Sequence, residues 1–138
     1  MMTADLHIAL FALAIAATIN LWLGIRCSQV RISDKVLHGD GGNALLAKRM
    51  RAHANFAEYT PLALLLILVL NLAGYHGWTL AVSALAFLVA RVLHALGMEA
   101  DRPNSLRMAG VIVTWLCYAL WIGWAIMAGL QHVGAIEL

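Results

Sequence analysis

A chain of 138 residues is one domain's worth, but 63% of it is hydrophobic and only 12% charged, where soluble domains carry about 25% charged residues. That balance excludes an ordinary soluble domain and points to the membrane. With a formal net charge of +2, no nucleic-acid partner is expected.

Four apolar segments follow one another, at 6–25, 59–74, 78–98 and 108–130. A spanning helix needs about 20 residues, within about 17–25. The first, third and fourth qualify directly, and the second does so by starting upstream, near Asn43. The expectation is an all-α integral membrane protein, one four-helix domain over 1–138 with helices at roughly 4–31, 43–74, 77–98 and 105–131. The first segment reads as a retained transmembrane helix. Its leading MMTAD carries no Lys or Arg, and its apolar core exceeds the ~7–15 residues of a signal h-region. Every Lys and Arg lies in or beside loops 1 and 3: Arg26, Arg31, Lys35, Lys48, Arg49 and Arg51, then Arg91, Arg102 and Arg107. The positive-inside rule therefore puts those loops in the cytoplasm and both termini on the far side.

In helix 1, Asn20 sits mid-span, where a buried amide hydrogen-bonds between helices. Arg26 and Arg31 close the helix, in keeping with charge bias and helix dipole; a ligand anion is the competing reading for Arg31. Cys27 at this end and Cys117 inside helix 4 read as structural thiols that define neither a disulfide nor a metal site. Loop 1 holds HGDGGN, a turn signal whose Asn43 can cap the next helix. It lacks the GK[ST] ending of a phosphate loop, and His38 reads as a solvated loop residue.

Helix 2 carries RAHANFAEYTP at 51–61. At about 100° per residue, Arg51, Asn55, Glu58 and Tyr59 share one face, while His53 points nearly opposite, towards a second surface. A carboxylate in the bilayer costs about 2.5–3.5 kcal/mol at the centre unless compensated, so Glu58 needs a partner. Pro61 removes a backbone donor and predicts a kink near Ala57, opening a pocket beside Glu58.

In helix 3, Arg91, His94 and Met98 recur at i, i+3 and i+7 on one face. Arg91 lies about 10 Å inside the helix end; it either snorkels outward or pairs with Glu58. His94 alone reads as a satisfied core histidine. Loop 3, EADRPNSLR, turns at Pro103-Asn104, with Ser105 as the cap expected for helix 4. Arg107 then falls in the first turn, where the dipole disfavours a cation, which suggests an anion there. In helix 4, Trp121 and Trp124 suit the far interfacial belt, and Trp115 and Tyr118 suit packing between helices.

These sets bring Arg31, Arg51, Asn55, Glu58, Tyr59, Arg91, His94 and Arg107 towards one layer. Arginine forks suit carboxylates and phosphates, so the layer asks for a small, multiply anionic cytosolic ligand that meets a lipid-soluble partner. Arginines near a thiol also lower its pKa. Haem or quinone binding by His53 and His94 is a reading of another class.

The segment RAHANFAE resembles the R-A-H-x-N-x-x-E of the microsomal glutathione transferase branch of the membrane-associated proteins in eicosanoid and glutathione metabolism. The following EY-x-P is similar to that of the leukotriene-conjugating synthase branch. ARVLH and the downstream PN again resemble the first branch, and LR at 106–107 the second. The resemblance covers nearly the whole chain. It implies a homotrimer in a bacterial inner membrane, with glutathione as co-substrate between adjacent subunits on the cytoplasmic side. It implies that Arg51, His53, Asn55, Glu58, Tyr59, Arg91 and His94 bind the tripeptide, Glu58 meeting its α-amino group. Arg107 would stabilise the thiolate and Arg31 assist at the lipophilic electrophile or hydroperoxide. Met98 departs from the pattern, standing where both animal branches usually have tyrosine; His94 departs from the leukotriene branch alone. A non-catalytic lipid-binding scaffold of the same family is the alternative.

Overall fold

The computed structural model describes residues 6–136, with side chains up to residue 131. It consists of α1 (His7–Asp34), α2 (Ala44–Leu72), α3 (Trp78–Gly97) and α4 (Ser105–Ile136), with no strand among the described residues. All four helices are long and apolar enough to cross a membrane. The all-α, four-span expectation holds, with shifts at the ends. α1 continues past residue 31 to Asp34 and α4 past 131 to Ile136; the expected start at residue 4 lies outside the described residues.

Local chemistry sets the ends. α1 stops at Lys35, which takes the left-handed conformation (φ 55°), and the Val36 N–H returns to the Arg31 carbonyl at 2.9 Å. Asn43 caps α2 as expected, its side-chain oxygen accepting the Leu46 N–H at 2.9 Å. At α4 the cap is Asn104, not Ser105, which is already helical. The Asn104 oxygen accepts the Arg107 N–H at 2.9 Å while its amide donates to the Gly97 carbonyl at 3.1 Å. A hydroxyl could not so readily do both, and the amide ties the end of α3 to the start of α4.

The helices pair as two hairpins, α1 with α2 and α3 with α4; α2 touches all the others, and α1 and α4 lie apart. The second hairpin is tight. A Cβ on Gly110 would stand 2.7 Å from the Ala90 carbonyl oxygen, and one on Gly97 would stand 2.5 Å from the Arg107 backbone nitrogen. Small residues at such crossings let membrane helices approach closely. Arg107 is thereby drawn against the end of α3.

Two tryptophans exchange their expected places. Trp121 is fully buried, donating Nε1–H to Ser83 Oγ at 3.0 Å and meeting Phe87 edge-on, whereas Trp115 is 60% exposed. The buried stripe of α4 runs through Thr114, Cys117, Trp121 and Ala128, and Trp115 is one residue round from it. Tyr118 packs between Tyr59 and Phe87, as expected, and Trp124 stacks on Tyr75. Asn71, deep in an apolar run, is fully buried. Its oxygen accepts the Ala9 N–H at 3.2 Å, closing one of the free donors of the first turn of α1, and its amide contacts His76 Nδ1 at 2.9 Å. Cys27 and Cys117 are buried free thiols. Large apolar side chains such as Phe11, Leu21 and Leu116 point outward, as lipid-facing surfaces require.

Candidate functional site

Where the two long loops meet, the polar face of α2 looks across at α3 and α4. Between them lies a cavity of about 190 Å³, walled by Arg51, Asn55 and Tyr59 of α2, by Arg91, His94 and Met98 around the end of α3, and by Arg107 and Thr114 of α4. Arg51, Asn55 and Tyr59 of the helix 2 set thus meet the helix 3 set here, while Glu58 of the same set is not in the lining.

Arg91 is its centre. Only 2% exposed, it donates Nη2–H to Asn55 Oδ1 at 2.6 Å and Nη1–H to Thr114 Oγ1 at 3.2 Å, and its guanidinium lies 5.4 Å from the Tyr59 ring centroid. Its Nε is buried without a partner. Thr114 passes its own proton to the Gly110 carbonyl at 2.7 Å, which leaves its lone pairs for the arginine. All these acceptors are neutral. Among the described residues, no carboxylate lies within ion-pair distance of Arg91. Arg91 therefore neither snorkels nor pairs with Glu58. Glu58 instead takes Arg51, two turns back on its own helix, at 2.9 Å, with both side chains about half exposed.

Tyr59 is held from behind, its carbonyl accepting the Tyr118 hydroxyl. His94 is buried and donates Nδ1–H to the Arg107 carbonyl at 3.3 Å, the satisfied histidine of the sequence reading. The Arg107 side chain is left to face the cavity at the positive end of α4.

The structure does not bring every expected residue here. His53 lies on the α1 side of α2, its Nε2 2.9 Å from Asn20 Oδ1, so Asn20 is an interhelical anchor. Arg31 sits in the last turn of α1, reaching Met50 Sδ at 3.3 Å, away from the cavity. With His53 turned to α1 and His94 to α4, the two rings do not face one haem within the chain. Among the described residues, no group of three His, Cys, Asp or Glu side chains forms a metal site.

The pocket expected beside Glu58 lies on the other side of Pro61. α2 is unbroken through it, and the space beside it is a groove of about 560 Å³ facing α1, lined by Ala57, Thr60 and Pro61 but not by Glu58. Apart from Asn20 and Thr60, that lining is apolar. Glu58 lies about 100° round the helix from Ala57 and turns to Arg51 instead.

Sequence reasoning passed over the acids of loop 3. Glu99 Oε1 accepts Arg26 at 2.5 Å and Arg49 at 3.1 Å. Asp101 accepts Lys48, whose ammonium holds the Asp101 carboxyl below its ordinary range. Arg26 also lies over Trp22, 4.7 Å from the ring centroid. The signal was available, since loop 3 places two acids opposite a loop 1 rich in bases.

The profile of the MAPEG family matches residues 9–127, a span that takes in every residue of the cavity. The inner membrane protein YecN of Escherichia coli strain K12 is 30% identical over 94 residues, covering 68% of this chain and 71% of that protein. The protein of the same name in Escherichia coli O6:H1 (strain CFT073) matches to the same extent.

Proposed function

The chain belongs to the MAPEG family, and from that premise we propose that the cavity binds glutathione and holds its thiol as the thiolate for attack on a lipophilic electrophile or hydroperoxide. The observation that carries the reading is Arg91. Burying an ion costs several kcal/mol unless it is paired, and this guanidinium is surrounded by neutral acceptors with one N–H unused. An anionic group of a ligand supplies the missing charge. Arg107 and Arg51 stand at the same cavity, so a peptide with two carboxylates and a thiolate meets a cation for each.

The roles divide by position. Arg107, at the start of α4, is where a thiolate gains both a guanidinium and the helix dipole. The Arg51–Glu58 pair offers neighbouring charges of opposite sign to the α-carboxylate and α-ammonium of the tripeptide. Asn55, Tyr59, Arg91 and His94 hold the remainder. His53, turned to α1, and Arg31, in the last turn of α1, serve an adjacent subunit's site in the homotrimer that this reading assumes. The relatives are named inner membrane proteins, and the same location, with loops 1 and 3 cytoplasmic, would give the cavity access to cytosolic glutathione while the lipid-facing helices admit the electrophile.

Calorimetry of the detergent-solubilised protein with glutathione, together with thiolate absorbance near neutral pH, tests this. Wild type should bind and show the absorbance. Arg91→Met should lose binding, and Arg107→Ala should bind but lose the thiolate signal and conjugation of an aryl halide. Absence of heat with wild type at millimolar ligand sinks the reading. The apolar groove between α1 and α2 favours the second reading, a non-catalytic lipid-binding scaffold, and that negative result would select it.

A further inference from the structure

The cavity has no single scaffold. Arg51, Asn55 and Tyr59 belong to the α1–α2 hairpin, while Arg91, His94 and Arg107 belong to the α3–α4 hairpin. Its width is therefore set by what joins the hairpins at this end. Glu99, the residue after Met98, makes such a join. Its carboxylate holds Arg26 of α1 at 2.5 Å and Arg49 of α2 at 3.1 Å, and its carbonyl accepts Lys48 Nζ at 3.2 Å. Arg49 in turn donates to the Arg26 carbonyl at 2.8 Å, so the two arginines form one unit. The three side chains are 15%, 18% and 22% exposed, a setting in which water screens the pairs only partly. Arg49 precedes Arg51 by two residues and so points to the other side of α2. The Glu99 pairs therefore hold α2 from the side opposite Arg51.

We propose that Glu99 is a positioning residue, an ionic clamp between the hairpins that sets the spacing of the cavity's arginines and hence its affinity for an anionic ligand. The affinity part rests on the glutathione reading above; the spacing part does not.

Two variants test the clamp. Glu99→Asp keeps the charge but withdraws the carboxylate by one methylene, and Glu99→Gln removes the charge. In Glu99→Asp the KM for glutathione should rise about tenfold, as for one weakened charge-assisted hydrogen bond to the ligand, with kcat and the KM for the electrophile little changed. A merely structural role would lower the active fraction, and so the apparent kcat, with both KM values intact; that result overturns the proposal. Nitroxide labels at Ala54→Cys on α2 and Met108→Cys on α4, both exposed positions, give a readout free of ligand. Their distance distribution should lengthen or broaden in both variants, and unchanged distributions overturn the clamp. A wild type that binds no glutathione, while the variants still alter the distances, overturns the ligand and leaves the clamp standing.

Discussion

Arg91 donates to the Asn55 side-chain oxygen at 2.6 Å, so the one fully buried arginine or lysine among the described residues is held by an amide rather than a carboxylate. This ordering of partners separates stability from binding. Asn55→Leu leaves a buried charged donor unsatisfied, which costs more than the about 1–3 kcal/mol of a neutral group. Arg91→Met removes the charge and its donors together, and replacing buried ions by apolar side chains is often neutral or stabilising. In thermal unfolding in detergent, Asn55→Leu should therefore melt below wild type and Arg91→Met at or above it, while both lose the ligand. The opposite order of melting would mean that Arg91 is a structural cation.

The α3–α4 crossing is as tight as backbone contact allows, because Gly110 lies where a Cβ would meet Ala90 and His94 at 2.7 Å. Gly110→Ala should destabilise by about 1–3 kcal/mol, the usual cost of overpacking, and should also displace His94. A Cβ added at Gly123 on the same helix would meet nothing within 4 Å, so Gly123→Ala is the control. It should be neutral or raise stability by about 0.4–1 kcal/mol. Equal melting temperatures for the two variants would show that the hairpin relaxes without cost.

Asn71→Leu removes an acceptor that no composition-based reading singles out. The Ala9 N–H it satisfies is buried at the start of α1, and leaving it open should cost about 1–3 kcal/mol. Hydrogen exchange of the first turn of α1 should rise in this variant more than exchange in α3, and uniform exchange would argue against a local cap.

These cases show what the sequence could and could not specify. Periodicity placed Arg91, His94 and Met98 on one face, and Arg51, Asn55 and Tyr59 on another, because 3.6 residues per turn is a property of the chain alone. Partner choice was not legible. Pairing with Glu58 was one of two readings open for Arg91, but an arginine two turns away on the same helix reaches Glu58 first. Trp121 and Trp115 exchanged places because the angle at which α4 meets α3 decides which residue enters the core. Asn104 displaced Ser105 as cap because it also had the Gly97 carbonyl to satisfy, a contact that exists only once α3 and α4 are side by side.

Met98 lines the cavity beside His94 and Arg107, at the position where the family resemblance expects tyrosine. Met98→Tyr would add a phenolic hydroxyl to that wall. If glutathione sits there, one more hydrogen bond contributes about 0.5–1.5 kcal/mol, and titration calorimetry should show affinity rising by about two- to tenfold. A loss of affinity would show that the thioether fills space the ligand needs.

Asp101 provides the pH signature of the loop contacts. Its carboxyl accepts the Lys48 ammonium and is held below the ordinary value of 3.8 by that hydrogen bond first and by the ammonium's charge second. A carboxyl whose folded pKa is depressed contributes stability that is fully present above its unfolded pKa and is lost as pH falls through the folded value. The contribution is small, because the Asp101 side chain is 93% exposed and salt screens such pairs. Wild type and Asp101→Asn should therefore differ in melting temperature by a small, constant amount at neutral pH, and the difference should shrink only below the ordinary carboxyl range. Lys48→Met should abolish the difference at every pH, because it removes the cause of the depressed pKa. If the gap between wild type and Asp101→Asn instead closes between pH 5 and pH 7, where Asp101 stays ionised and histidines titrate, another group controls this loop and the Lys48 pair does not.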